Sequence, residues 1–236
     1  MKIGAVILSR MDSSRLPGKA LLDVSGRPLL SYALSFCQKI KCLDSITLAT
    51  STRAVDDPLS DFAEFHGISC IRGSLNNVAK RFLSAMEALN LDAAVRINGD
   101  SPLNNKALIS DGIRLFRSGN FDLVSNVPAR TYPYGMSVEV VGRKAMEHAC
   151  SLMTNAKHKE HVTKYFYDNQ DKFDISLMTS GVAEFSDVQL AIDTQEDFDR
   201  FKWIINNLEC DPADSDIATL IKLAKKYSLN VEKKYE

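Results

Sequence analysis

No stretch of this 236-residue chain approaches the roughly 20 consecutive apolar residues that a membrane-spanning helix needs. The opening run Ile3–Leu8 is too short for the apolar core of a secretory signal, and no small-residue cleavage site follows it. The expected location is therefore the cytoplasm, without a membrane partner. An excess of charge is lacking too. With 29 Lys and Arg against 30 Asp and Glu, no global field favours a nucleic acid or an anionic surface, so any polyanion site has to be local. The five cysteines, Cys37, Cys42, Cys70, Cys150 and Cys210, are odd in number and scattered, and none forms a C-x-x-C pair. That pattern argues against a disulfide framework and a cysteine zinc site, and suits a reducing compartment. Internal repeats and low-complexity tracts are missing. So is the Walker phosphate loop: Gly18-Lys19 is followed by Ala20 and preceded five residues earlier by Ser13, which removes the best support for an ATPase or GTPase.

What is present reads as one α/β domain, for which the length is sufficient. Ile3–Leu8 is a continuous apolar run ended by a polar stretch, the pattern of a strand buried on both faces. A loop follows over 9–18. Leu29, Leu30, Ala33, Leu34 and Cys37 then recur at helical spacing, with Pro28 suited to the first turn. The order repeats, with strands expected at 46–50, 68–71, 93–97 and 122–125 and helices at 58–65, 77–89 and 106–116. Such alternation implies a Rossmann-like, mostly parallel sheet with helices on both faces. Beyond Asn126, the breakers Pro128, Pro133 and Gly135 change the rhythm. A short strand at 137–141 and helices near 144–153 and 160–169 read as part of an arm or lid inserted at about 127–185. A strand pair at 175–179 and 188–192 returns to the sheet, and helices at 196–207 and 214–227 close the domain. The charged last turn, 232–236, is expected to fray. Phe198, Phe201, Trp203, Ile204 and Ile205 repeat at helical spacing and read as core.

Ligands of open α/β sheets bind beyond the carboxyl ends of the strands. Arg10, Arg15 and Lys19, in the loop after the first strand, should therefore converge on such a crevice. A triphosphate is the natural guest. Small residues such as Ser13, Ser14 and Gly18 let backbone N–H groups approach phosphate oxygens, while arginine offers a fork and lysine a point charge. The same residues could also make an ordinary solvated basic loop. Asp100 and Asp193 each follow an expected strand, and two carboxylates from different strand ends suit a magnesium ion, which prefers oxygen ligands. Alternatively, Asp193-Thr194 caps the next helix, with Glu196 in its first turn. His158 and His161 are three apart on an expected helix, a spacing that suits zinc. A surface histidine beside Glu160 is the commoner reading. The D-x-D pairs Asp197/Asp199 and Asp214/Asp216 are expected to be solvated acids on helices.

The order R-x-x-S-x-R-L-P-G-K from Arg10 to Lys19 resembles the signature of the cytidylyltransferases that activate acidic sugars. The 3-deoxy-manno-octulosonate and acylneuraminate enzymes are members, and the likeness is strongest to spore-coat polysaccharide (SpsF-like) relatives. Further matches follow in the family's order: Ala49-Thr50-Ser51, Arg72-Gly73-Ser74, Arg96 to Leu103, Tyr132 to Val140, Glu160-His161-Val162-Thr163 and Ala191 to Phe198. The resemblance implies a nucleotide-diphospho-sugar transferase fold and transfer of CMP from CTP to an acidic sugar, of the 3-deoxy-2-keto class, with release of pyrophosphate for surface polysaccharide or glycan synthesis. It implies magnesium held by Asp100 and Asp193, and a homodimer formed through the arm. Arg10, Lys19 and Asp100 would carry the chemistry, which needs no nucleophilic side chain. The nucleotide would lie against Leu8, Ser9, Arg10, Ser14, Arg15, Lys19, Arg72, Ser74 and Asn98, and the acceptor against Asn98, Tyr134, Glu139, Glu160 and His161.

Two positions depart from the pattern. At Asn76-Asn77 the relatives tend to carry an acid before the helix, and at Asn98 the octulosonate enzymes carry glutamine, so the acceptor sugar stays open. Three rival readings remain: a sugar-1-phosphate nucleotidyltransferase using another nucleoside triphosphate, which should carry a longer glycine-rich first loop; a glycosyltransferase, which releases no pyrophosphate; and a catalytically silent nucleotide-binding module.

Overall fold

Why the apolar opening segment comes to lie at the centre is visible in a computed structural model, which describes residues 1–182 and 185–232. Strand β1 (Ile3–Leu8) is followed by two short paired strands, β2 (Asp23–Val24) and β3 (Arg27–Pro28), and by helix α1 (Leu29–Gln38). Next come β4 (Ser45–Ser51), α2 (Asp57–Phe65), β5 (Ser69–Gly73), α3 (Val78–Ala88), β6 (Ala93–Asn98), α4 (Lys106–Ser118) and β7 (Leu123–Ser125). The chain continues through β8 (Glu139–Gly142), α5 (Arg143–Leu152), α6 (Ala156–Glu160), α7 (Lys164–Asp168), β9 (Ile175–Leu177), α8 (Gln195–Asn207) and α9 (Ile217–Glu232). Seven strands form one sheet in the order β5-β4-β1-β6-β8-β7-β9. β1 pairs in parallel with β4 on one side and β6 on the other. Only β8 runs against its neighbours, β6 and β7.

Both faces of the sheet are covered, because alternate strand residues point to opposite sides. Ile3, Ala5 and Ile7 join a core built with α1, α2, α4, α8 and α9. Val6, and Leu8 at its edge, join a second core built with α3, α5 and α7. Sequence reading thus recovers the mostly parallel, doubly covered sheet. Residues 127–185, expected as an arm or lid, supply β8 and β9 to the sheet, α5 and α7 to its second face, and α6 beside α3; residues 183 and 184 lie outside the described residues. The tail expected to fray also lies outside them beyond Glu232. No described helix is long and apolar enough to cross a membrane.

Four expectations are corrected. Pro28 ends β3 in extended conformation and stands at the N-cap of α1, not within its first turn. The helix expected at 160–169 is two short helices, α6 and α7, broken where Val162 takes a positive φ of 24°. Trp203 lies half-buried at the rim of the core against Tyr227. The segment 188–192 is not a strand: it is fastened by a single parallel bridge between Tyr134 and Gln189. Leu190 N donates to Tyr134 O at 2.7 Å, and Tyr134 N donates to Val188 O at 2.9 Å. Pro133 and Gly135 turn the chain there, so no longer ladder can form.

Gly135 makes that fastening possible. Its φ is +97°, and an added Cβ would lie 2.5 Å from Ala191 N. The segment so fixed leads directly into Asp193, so this turn sets the height of that carboxylate. Gly135→Ala is predicted to cost at least about 1–3 kcal/mol, the scale of one strained backbone position, read as a lower melting temperature. Unchanged melting would show that the turn relaxes freely and does not position the segment.

Candidate active site

A cavity of about 260 Å³ opens beyond the carboxyl ends of β1 and β6. Leu8, Ser9, Arg10, Ser13, Ser14, Arg15, Lys19 and Ala20 line one side; Val78 and Arg81 come from α3; Arg96, Asn98, Gly99 and Asp100 come from β6 and its end; Glu160, His161 and Asp193 complete the wall. The loop can pass this close to β6 because residue 99 is glycine: a Cβ there would sit 2.9 Å from the Ser9 side chain. The loop is closed on itself by Gly18 N donating to Met11 O at 2.7 Å, with Gly18 at φ 72°.

Lys19 is the centre of the site. Its Nζ donates to Asp100 Oδ2 at 2.8 Å and to the carbonyl of Ile192 at 2.6 Å, and it stands 3.5 Å from Asp193 Oδ1. The side chain is 12% exposed, so its charge needs those partners. Arg15 Nη2 reaches the same Asp193 oxygen at 3.0 Å, and Arg10 pairs with Glu160 at 3.4 Å and with Asp12 at 3.6 Å. The three loop cations thus line one cavity, each held by an acid.

The two readings of Asp193-Thr194 separate cleanly. Thr194 is the N-cap of α8: its Oγ1 accepts from Asp197 N at 3.2 Å, and Asp197 Oδ2 accepts from Thr194 N at 2.9 Å, a reciprocal capping box. The Asp193 carboxylate is left to face Lys19 and Arg15. Asp197, expected to be a solvated acid, is buried in this cap and paired with Arg200. Its carboxyl is held below the usual range: burial would raise it, but backbone donors at Asp193 and Thr194 outweigh that. Asp193 follows no strand, yet Ile192 N donating to Asp100 O at 2.9 Å ties the two acids' backbones together. Two partly exposed carboxylates with no third ligand suit magnesium, which takes one or two carboxylates and completes its shell with phosphate and water. Among the described residues, no group of three or more His, Cys, Asp or Glu could hold a metal by itself.

Other expected site residues lie elsewhere. Arg72 is spent on the carbonyls of Ser51 and Arg53, at 2.9 and 2.8 Å, and on Asp57. Ser74 Oγ accepts from Asn77 N at 3.1 Å. Neither lines the cavity; instead the Ser74 carbonyl accepts from Arg81 Nη1 at 2.6 Å. Asn77, in one of the two expected departures from the family pattern, caps α3 by accepting from Lys80 N at 2.9 Å, a task asparagine and aspartate share. Tyr134 is half exposed beneath the Arg130 guanidinium, 3.6 Å from its ring centre, and does not reach the cavity. His158 turns to Asp168 at 2.9 Å, while His161, just past the end of α6, lines the cavity, so no histidine pair forms.

Glu139 is the largest correction. Expected to meet the acceptor, it is 1% exposed and does not line the cavity. It pairs with Arg96 and accepts from Thr163 Oγ1 and, at 2.6 Å, from Tyr167 OH. Burial would raise the Glu139 pKa, but Arg96 and the two hydroxyls hold it below the ordinary carboxylate range. Burial would lower that of Arg96, but Glu139 keeps it raised. Arg81, 3% exposed, has its pKa lowered by burial despite Glu160. Sequence reading assigned no role to Arg81 or Arg96. A signal existed for Arg96: one arginine inside Ala93-Ala94-Val95-Arg96-Ile97 and one glutamate opening an apolar strand at Glu139 are opposite charges that call for a partner once their strands are buried.

The chain is similar to known proteins over most of its length. A family model described as cytidylyltransferase matches residues 5–234. The chain is 34% identical over 199 residues to the uncharacterized protein MJ1063 of Methanocaldococcus jannaschii, covering 84% of this chain and 81% of that one. It is 27% identical over 205 residues to the spore coat polysaccharide biosynthesis protein SpsF of Bacillus subtilis, covering 84% and 83%. Its fold is similar to the structure of a cytidylyltransferase from Leptospira borgpetersenii serovar Hardjo-bovis, with a TM-score of 0.90, 28% identity, and 97% and 96% of the two chains covered.

The Glu139 pair makes a pH-dependent prediction. Because the folded carboxyl titrates below its unfolded value, its contribution is complete above the unfolded pKa, about 4.3, and is lost as the pH falls through the depressed folded value. Glu139→Gln should lower stability by about 3–5 kcal/mol near neutrality, since it strands Arg96, and should flatten the acid limb of melting temperature against pH. Wild-type melting at every pH would contradict the pairing.

Proposed function

The chain belongs to the cytidylyltransferase family, and from that premise we propose that it transfers CMP from CTP to an acidic sugar, with release of pyrophosphate. The observation that carries this reading is the Lys19 ammonium held between Asp100 and Asp193 in the crevice beyond β1 and β6. A triphosphate brings the oxygens that Lys19, Arg15 and Arg10 now find on acids. When it enters, those cations exchange carboxylate for phosphate partners, and the acids are released toward a cation. The cavity, about 260 Å³, lies just under the roughly 300–1,000 Å³ of small-molecule sites, which suits a loop drawn in by its own ion pairs.

Magnesium is the cation the two acids would hold, and when bound it would neutralise phosphate charge and lower the pKa of the acceptor hydroxyl. The remaining work belongs to the chain. Arg10, Arg15 and Lys19 orient the phosphates so that the acceptor hydroxyl meets the α-phosphorus in line with the departing pyrophosphate. Positioning and preorganised charge account for most catalysis in such transfers, so no side chain need become covalently attached. A sugar acid is the acceptor class that the family motifs support, and surface polysaccharide is its destination. Asn98, Glu160 and His161 line the cavity, and on this reading they meet its hydroxyls. The same reading takes residues 127–185 as the homodimer contact, a role supported by edge strand β9 and exposed Leu177, Val182 and Tyr134. Five free cysteines suit a cytoplasmic setting.

Pyrophosphate release should be seen with CTP, magnesium and a panel of acidic sugars, and CTP should raise the melting temperature more than the other three nucleoside triphosphates. Asp100→Asn should cost on the order of 2–4 kcal/mol of transition-state stabilisation, about 30- to 1,000-fold in turnover. Near-normal turnover in that variant would remove Asp100 from the machinery. No pyrophosphate with any acceptor would favour a silent nucleotide-binding module.

A further inference from the structure

Five cations line the cavity, Arg10, Arg15, Lys19, Arg81 and Arg96, and the reading above employs only three. Arg96 is the least expected of the other two. It sits within β6 beside β1 and β8, where a charge is costly to bury. It shares a strand face with Asn98, two residues on, and both line the cavity. Glu139 takes its Nη1, and its Nε is buried without a partner. A pair of matched apolar residues would serve stability as well or better, so stability alone does not explain a guanidinium that reaches a ligand cavity.

We propose that Arg96 is the receptor for the carboxylate of the acceptor, and that Glu139 is the positioning residue that fixes it. This rests on the reading that the acceptor is a sugar acid. The fork of a guanidinium matches a carboxylate, and Glu139 cancels the net charge, which makes the pair a weak site for a triphosphate and a selective one for a single carboxylate. Glu139 has a second task. Its other contacts are Thr163, the N-cap of α7, and Tyr167 within α7, the helix that follows Glu160 and His161. Val162, between His161 and Thr163 and fully buried, holds φ at 24°, a conformation that a β-branched residue keeps only when its surroundings impose it. One carboxylate thus fixes both the receptor arginine and the turn that carries Glu160 and His161 to the cavity.

The test measures pyrophosphate release with CTP, magnesium and either 3-deoxy-manno-octulosonate or N-acetylneuraminate, whichever is turned over faster, and with the methyl ester of that acid. Arg96→Gln should raise KM for the acid at least ten-fold, leave KM for CTP within two-fold, and abolish the preference for acid over ester. Glu139→Gln should reproduce that split. Because a stranded charge can unfold the chain, the double variant Arg96→Met with Glu139→Met removes both charges together; it should melt above Glu139→Gln, though below wild type because Thr163 and Tyr167 lose their acceptor, and should also fail to tell acid from ester. Retained discrimination in the folded double variant overturns the inference, as does a Glu139→Gln enzyme with altered melting but unaltered KM. Turnover of neutral sugars alone overturns the inference together with the acceptor class, while leaving cytidylyl transfer standing. Failure to consume CTP with any acceptor overturns the parent reading as well.

Discussion

One partly buried ammonium between two carboxylates organises the carboxyl-terminal edge of this sheet. Lys19 cannot lie 12% exposed without anionic partners, and Asp100, Asp193 and the Ile192 carbonyl supply them. Those partners come from the end of β6 and from the segment before α8, so the contact fastens three distant stretches of chain at one point. The same contact, with Arg15 on Asp193, sets two cations against two carboxylates. On the proposed reading it is also what CTP displaces.

A second cluster supports the first from behind. Glu139, on the one strand that runs against its neighbours, reaches Arg96 on β6 and Thr163 and Tyr167 around α7. Both of its carboxylate oxygens are engaged within the protein, which is why it belongs to the frame of the site and not to its lining. Capping has a comparable effect at Asp193: Thr194 and Asp197 satisfy the start of α8 between them, and that frees the neighbouring carboxylate for Lys19 and Arg15.

Legibility in the sequence follows from whether a signal is local. β1 is bounded as expected because an apolar run and its polar terminator are contiguous, and the alternating strands and helices up to β7 are recovered for the same reason. The loop cations were legible because a short segment carries all three. Segment 188–192 misled because Val188, Leu190 and Ile192 alternate like a strand, whereas the turn at Gly135 limits their pairing to one bridge. The single helix expected at 160–169 failed at Val162, whose backbone is set by tertiary contacts that no propensity reports. Glu139 and Arg72 were placed against ligands by their motifs. Their real partners, Arg96 and Thr163 for one and the Ser51 and Arg53 carbonyls for the other, are 19 or more positions away in sequence and become neighbours only when the sheet forms.

The most direct measurement is a crystal structure of the protein with CTP and magnesium. The account predicts that Lys19 Nζ has left Asp100 for a phosphate oxygen, and that Asp100 and Asp193 together face the metal on the triphosphate. A triphosphate bound without contact to Lys19, with the lysine still locked between both acids, would contradict it.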